Sequence, residues 1–151
     1  MDIFTKVCYD CSRLITHSYS TSFSLGIRMF SADLRMPVYA IYGFVRFADE
    51  IVDTFHDKDK ARLLSDFRHE TFKAIHDKIS LNPVLHTFQQ VVNTYHIDHA
   101  LIESFLDSME MDLEQTIYSK QDLDLYIYGS AEVVGLMCLK VFLEGNEAEY
   151  N

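Results

Sequence analysis

Asp49 and Asp53 stand one helical turn apart, and Tyr42 and Arg46 precede them so that the four residues follow the spacing i, i+4, i+7, i+11. At about 100° per residue these side chains fall on one narrow stripe of a helix. Two carboxylates one turn apart repel each other, and out of water they take up protons unless a cation lies between them. A divalent ion resolves that conflict. Hard oxygen donors on one helical face, with coordination positions left open, suit Mg²⁺ bridged to phosphate groups. Arg46 adds a fork for a diphosphate oxygen. Its alternative use is an i, i+4 ion pair with Glu50.

An Asp-x-x-x-Asp pair by itself more often marks a solvated helix face. The flanks of this one are not solvated in character: Ala40, Ile41, Phe44, Val45, Phe47, Ala48, Ile51 and Val52 surround the stripe. A helix that is apolar nearly all round belongs in a core, so its polar stripe is expected to line an internal cavity.

The helix carrying the stripe reads from Pro37, near its start, to about Phe55. Proline is tolerated in a first turn, where the N–H groups lack partners anyway. Upstream, Phe4, Val7, Cys8, Cys11, Leu14 and Ile15 recur at helical spacing from Ile3 to about His17, and the polar tract Ser18 to Ser22 then reads as a break. A short segment, Phe23 to Phe30, leads into a turn at Ser31 to Asp33. Downstream, the charged residues Asp57 to Arg62 form a solvated connection, and Leu63, Leu64, Phe67, Phe72, Ile75 and Ile79 mark an amphipathic helix. Asn82-Pro83 opens a helix to about Tyr95 with Val84, Leu85, Phe88, Val91 and Val92 inward. Asp98 caps the next, which carries Leu101, Ile102, Phe105, Leu106, Met109 and Leu113. The last runs from near Gln121 to a stop at Glu144-Gly145.

Five glycines and two prolines in 151 residues are too few turn signals for a many-stranded sandwich or barrel. With 48% hydrophobic and 13% aromatic residues the chain can fill a sizeable core, and one all-α domain of roughly six helices is expected. A net charge of −10 excludes a nucleic-acid partner, because phosphate backbones are gripped by Lys and Arg clusters. No apolar run reaches the roughly 18 uncharged residues of a spanning helix. The longest, Val133 to Leu143, is broken by Lys140, and the start, MDIFTK, lacks the basic and apolar regions of a secretory signal. A cytoplasmic location is expected. Cys8 and Cys11 form a C-x-x-C without the second ligand pair of a zinc site or the βαβ setting of a redox motif, so they read as plain helix residues.

Four segments together carry a resemblance: S-x-S-F-S at Ser20 to Ser24, A-I-Y-G-F-V-R-F-A-D-E-I-V-D at Ala40 to Asp53, M-E-M-D-L at Met109 to Leu113, and Y-I-Y-G-S-A-E-V-V-G-L-M at Tyr126 to Met137. In order and approximate spacing the chain resembles the squalene/phytoene synthase family, the bacterial phytoene synthases above all. The resemblance implies an isoprenoid synthase-type helical bundle and a Mg²⁺-dependent head-to-head condensation of two prenyl diphosphates. It makes Asp49 and Asp53 the first aspartate-rich motif, binding Mg²⁺ and diphosphate, with Tyr42 and Arg46 as catalytic and substrate-binding neighbours. It assigns Tyr19, Ser20, Thr21 and Ser22 to diphosphate, with Tyr19 standing where some members carry histidine. It assigns Phe23, Tyr126, Ser130 and Val134 to the prenyl tunnel and turns Asp112 toward the cavity.

The family's second aspartate-rich motif has no counterpart in the 151 residues, so the chain reads as the amino-terminal part of such a domain. A half-domain of this kind is expected to self-associate and to be inactive alone, and the resemblance implies a peripheral contact with the inner face of a membrane for product release. Geranylgeranyl diphosphate going to phytoene is the expected chemistry; squalene or dehydrosqualene from farnesyl diphosphate, or a non-catalytic scaffold of the same shape, are the alternatives. The dipeptides His56-Asp57 and His76-Asp77 raise an HD-type phosphohydrolase as a rival, but both lie in polar stretches without identifiable further ligands.

Overall fold

The computed structural model describes the backbone of residues 1–114 and 119–150, and the side chains of all of these except 23 and 145–150. The helices are α1 (Ile3–Tyr19), α2 (Thr21–Ile27), α3 (Ala32–Asp53), α4 (Lys60–Asp77), α5 (Pro83–Tyr95), α6 (His99–Glu114), α7 (Lys120–Ile127) and α8 (Val133–Tyr150), with a π-helical turn, Tyr128–Glu132, between the last two. No strand occurs among the described residues. Local chemistry starts several of these helices. Asp2 accepts from the Thr5 amide at 2.7 Å, Asn82 from Val84 and Leu85 with Pro83 in the first helical position, and Asp98 from Ala100 at 2.9 Å.

α3 is the central element, with α1, α4, α5, α6 and α8 packed round it. Its Phe44, fully buried, stacks on Phe88 of α5 at 3.9 Å between ring centroids, and on Phe67 of α4 at 5.3 Å, with Phe105 of α6 tilted against it at 5.6 Å. The inward residues expected for α5 are all buried.

Several elements depart from the sequence reading. The break after α1 is one residue, Ser20, because α1 continues to Tyr19 and α2 opens at Thr21. The expected turn at Ser31 to Asp33 is instead the N-cap and first turn of α3, which puts Pro37 inside the helix rather than at its start. Asp59 caps α4, so Lys60 to Arg62 are helical and the connection is shorter than its charge suggested. The periodicity of α1 located the helix but not its buried face. Phe4, Val7 and Leu14 are exposed, and Thr5, Cys8, Tyr9, Ser12 and Thr16 are buried. Their short polar groups are satisfied in place, Ser12 Oγ by Thr87 Oγ1 at 3.0 Å and Thr5 Oγ1 by His86 Nε2 at 3.2 Å. Small hydrogen-bonded side chains let α1 lie close to α5 and α3, which larger apolar ones would prevent.

The last helix does not stop at Gly145; α8 continues through Tyr150. From Lys120 to Glu144 the helical rod is long and apolar enough to cross a membrane by length and composition, a property that core helices share. One face of it is buried through Gly129, Val133, Met137 and Val141, while Leu136, Leu139 and Leu143 on the other side are exposed. The π turn brings Gly129 against α6: a Cβ there would overlap Ser108 Oγ and come within 2.5 Å of the Ser104 carbonyl oxygen. Gly135, two turns on, has nothing within 4 Å of a built Cβ. Gly129→Ala should therefore lower stability by about 1–3 kcal/mol, as overpacking does. Gly135→Ala should raise it by roughly 0.5–1 kcal/mol through helix propensity. Urea melts of the two variants check the contrast, and equal effects would contradict the close approach at the π turn.

Candidate active site

The stripe expected on one helix is present on α3, and its hub is Arg46. The Arg46 guanidinium donates through Nη2 to Glu50 Oε2 at 2.7 Å, while Nη1 lies 3.6 Å from Asp49 and 4.0 Å from Asp53. Its Cζ sits 4.4 Å from the centroid of the Tyr19 ring, brought over by the end of α1. All three carboxylates occupy the last turn and a half of α3, where the helix dipole is negative and no basic residue occurs in the last turn. A cation is required at that end, and in the chain as folded Arg46 supplies the only one that touches all three acids among the described residues. Its Nε, buried, has no acceptor.

The charges leave a clear mark on protonation. Burial, opposed by Arg46 and reinforced by the like charges of Asp53 and Asp112, pushes the Asp49 carboxyl from its ordinary 3.8 up to about 6. Asp112, half-buried on α6, lies near enough to add its charge to the acids of the stripe. Hydrogen bonding to Glu50 raises the Tyr19 phenol, and the Glu50 carboxyl is correspondingly lowered, chiefly by a hydrogen bond from Thr54.

Glu50 joins the site, and its i, i+4 spacing to Arg46, which also allows a plain ion pair, makes it that residue's shortest ionic contact. Tyr42 is half-buried one turn before Arg46 on α3. Ser20 ends α1 and accepts at its carbonyl from the Ser24 hydroxyl at 2.8 Å, while Thr21 and Ser22 open α2 with exposed side chains. The side chain of Phe23 lies outside the described residues. Tyr126, Ser130 and Val134 are half-buried along the α7 to α8 rod, and Val134 packs against the main core.

Asp53 is exposed, so the stripe runs from the interior out to solvent rather than lying wholly inside. Among the described residues no three His, Cys, Asp or Glu side chains converge closely enough to enclose a metal ion. Asp49 and Asp53 offer hard oxygen donors at the negative end of a helix with no closed cage round them. That donor set fits an octahedral ion that keeps several waters and takes phosphate oxygens, not a structural zinc. His56, Asp57, His76 and Asp77 are exposed and form no cluster, and Cys8, Cys11 and Cys138 are free thiols with Cys8 buried.

Fold and site together define an all-α domain whose central helix carries an acidic pair behind an arginine, and comparison makes the class specific. Residues 16–150 match the squalene/phytoene synthase family, and the chain belongs to it. The phytoene synthase of Arthrospira platensis is 29% identical over 134 residues, covering 88% of this chain and 43% of its own length. The presqualene diphosphate synthase of Rhodopseudomonas palustris is 25% identical over 126 residues, covering 81% of this chain and 44% of its own. In structure the chain superimposes on a squalene synthase from Alicyclobacillus acidocaldarius with a TM-score of 0.84 at 22% identity, covering 94% of this chain and 54% of that one. A dehydrosqualene synthase crystallised with a ligand gives 0.79 at 23% identity, covering 91% and 48%. The chain thus spans less than half the length of the first relatives and about half that of the solved structures.

The displaced Asp49 gives a stability prediction with an unusual sign. Its folded pKa is raised, so between pH 3.8 and about 6 the folded state keeps a proton that the unfolded chain has lost. Stability from this group is present below that window and lost as pH rises through it. At neutral pH Asp49→Asn should therefore leave the fold as stable or make it more so. Carboxyl-detected NMR should find Asp49 titrating near 6, and a midpoint in the ordinary aspartate range would contradict the buried, like-charged setting.

Proposed function

We propose that this chain provides the first half of a prenyl-condensing active site, in which Asp49 and Asp53 hold Mg²⁺ against the diphosphate of an allylic substrate. The observation that carries the reading is the acidic last turn of α3, with Asp49 kept from ionising normally by burial and by Asp53 and Asp112. Such a pair gains more from a divalent cation than two solvated carboxylates would. Bound there, Mg²⁺ supplies positive charge to the departing diphosphate. Arg46 contributes an unused Nε–H and, once a metal takes over Asp49 and Asp53, freed Nη donors for the same group. Tyr42, one turn back on α3, contacts the substrate next to the leaving group. Tyr19, Ser20, Thr21 and Ser22 at the α1–α2 junction bind diphosphate oxygens, and Asp112 faces them from α6. Phe23, Tyr126, Ser130 and Val134 wall the prenyl chain and keep water from the allylic cation.

Two geranylgeranyl diphosphates joined head to head to give phytoene is the reading favoured by the phytoene synthase relatives. A farnesyl diphosphate reading, giving squalene-type products, is favoured by the presqualene diphosphate synthase relatives and the squalene and dehydrosqualene synthase structures. Incubating a complete enzyme containing this half with either substrate separates them by product. In that enzyme Asp49→Asn or Asp53→Asn should each cut turnover by at least about a hundredfold, on the order of 3 kcal/mol of barrier, with the fold intact. Near-normal turnover in both would sink the metal assignment. Tyr42→Phe should lower turnover with little change in melting temperature; lost stability with full activity would make Tyr42 a packing residue.

The chain alone is proposed not to condense prenyl diphosphates and to associate through exposed apolar surface. Its accessible area is 8894 Å², against about 7,900 Å² for a compact monomer of this mass. Leu123, Leu125, Ile127, Leu136, Leu139 and Leu143 are all exposed on the α7 to α8 rod. Light scattering should find oligomers that bind a hydrophobic dye. A monomer that leaves the dye dark would rule this out.

A further inference from the structure

Between α1 and the α2–α3 junction lies an open cleft of about 310 Å³, and none of its lining residues belongs to the Arg46 cluster. Lys6, Arg13, Arg28 and Arg35 line it, against a single carboxylate, Asp10, among the described residues. The whole chain carries 13 Lys and Arg and a net charge of −10, so gathering four of them in one cleft reverses the sign of the surface locally. Asp10 does little to cancel them. It lies 3.7 Å from Lys6 and 3.8 Å from Arg13, with all three side chains at least half exposed, and such pairs contribute little in water. Arg35 is fixed by Nε donating to the Phe30 carbonyl at 2.8 Å, which leaves its terminal nitrogens for another partner. The Arg28 guanidinium pairs with no carboxylate among the described residues.

The floor is different in kind. Tyr9 and Tyr39 are buried, Met36 is half-buried beside them, and the His17 ring packs on Tyr39 at 5.7 Å between centroids. A ligand here meets guanidinium and ammonium groups at the rim and an apolar ledge below. Planar guanidinium forks match phosphate oxygens two at a time, and several cations converging on one small volume call for more than one negative charge. No acidic pair is available to recruit a metal, in contrast to the end of α3.

We propose that this cleft binds a phosphate-bearing anion directly, without a divalent cation, with an attached apolar portion resting on Tyr9, Met36 and Tyr39. Two sources present that chemistry: a soluble diphosphate with a hydrocarbon tail, and the headgroup of an anionic phospholipid at a bilayer surface.

Inorganic pyrophosphate titrated calorimetrically into the full chain in EDTA tests the site. Arg13→Glu with Arg28→Glu removes two exposed cations outside the core, so the fold should survive, as circular dichroism can verify. Binding should weaken at least tenfold in that double variant and stay unchanged in Arg62→Glu, which reverses an exposed charge on α4 away from the cleft. Sedimentation with phosphatidylglycerol/phosphatidylcholine vesicles then separates the sources. Capture that pyrophosphate displaces and the double variant loses assigns a lipid headgroup, whereas pyrophosphate binding without vesicle capture assigns a soluble diphosphate. Absence of pyrophosphate binding in EDTA, binding indifferent to Arg13→Glu and Arg28→Glu, or an equal loss in Arg62→Glu, each overturns the proposal.

Discussion

Three carboxylates at the C-terminal end of a helix oppose that helix's own dipole, and in this chain one guanidinium holds the arrangement together. Without Arg46, Asp49, Glu50 and Asp53 would repel each other where backbone carbonyls already concentrate negative charge. The cost is visible even with Arg46 in place, in the raised Asp49. Lys60 adds a second, remote correction by donating to the Val52 carbonyl at the same helix end. An arrangement so charged is a poor stabiliser and a good receptor for an incoming cation, because the metal would satisfy repulsions the fold has left standing.

The tension is affordable because the opposite face of the same helix is the centre of the core. Phe44 is two residues from Arg46, and it joins α4, α5 and α6 in one aromatic stack. The stack fixes the rotation of α3 about its axis, and through it the direction in which the acidic stripe points. Tyr19 reaches Arg46 only because α1 is seated against α3, and that seating rests on small residues: a Cβ at Gly43 would already touch Ser12 Oγ at 3.3 Å. Packing and site are therefore one problem. A shift of α1 along α3 would move the ring off the guanidinium.

What the sequence made legible follows where one strong local signal acts alone. Asn82-Pro83 and Asp98 are side-chain caps with no competitor, and the structure keeps both. The stripe on α3 was legible because its spacing is a property of any helix. Reading failed where tertiary contacts outweighed local preference. The apolar residues of α1 point outward because its polar face finds hydrogen-bond partners on α5. Pro37 sits buried inside α3, where the loss of one backbone hydrogen bond is outweighed by packing that no local rule reports. The π turn at Gly129 depends on a crossing with Ser104 and Ser108, which are more than twenty residues away.

The α7 to α8 rod shows why composition alone misleads about environment. It is apolar on two sides, with Val133, Met137 and Val141 buried at successive turns and Leu136, Leu139 and Leu143 exposed between them. That pattern serves a membrane span or a helix sandwiched between two protein layers equally well. One feature favours the sandwich. Lys140, paired with Glu144 at 3.0 Å, interrupts the apolar surface in the middle of α8. A second helical layer over the exposed Leu136, Leu139 and Leu143 would turn that side of the rod into interior. On that view the mean apolarity of the rod measures how many layers it is built to separate.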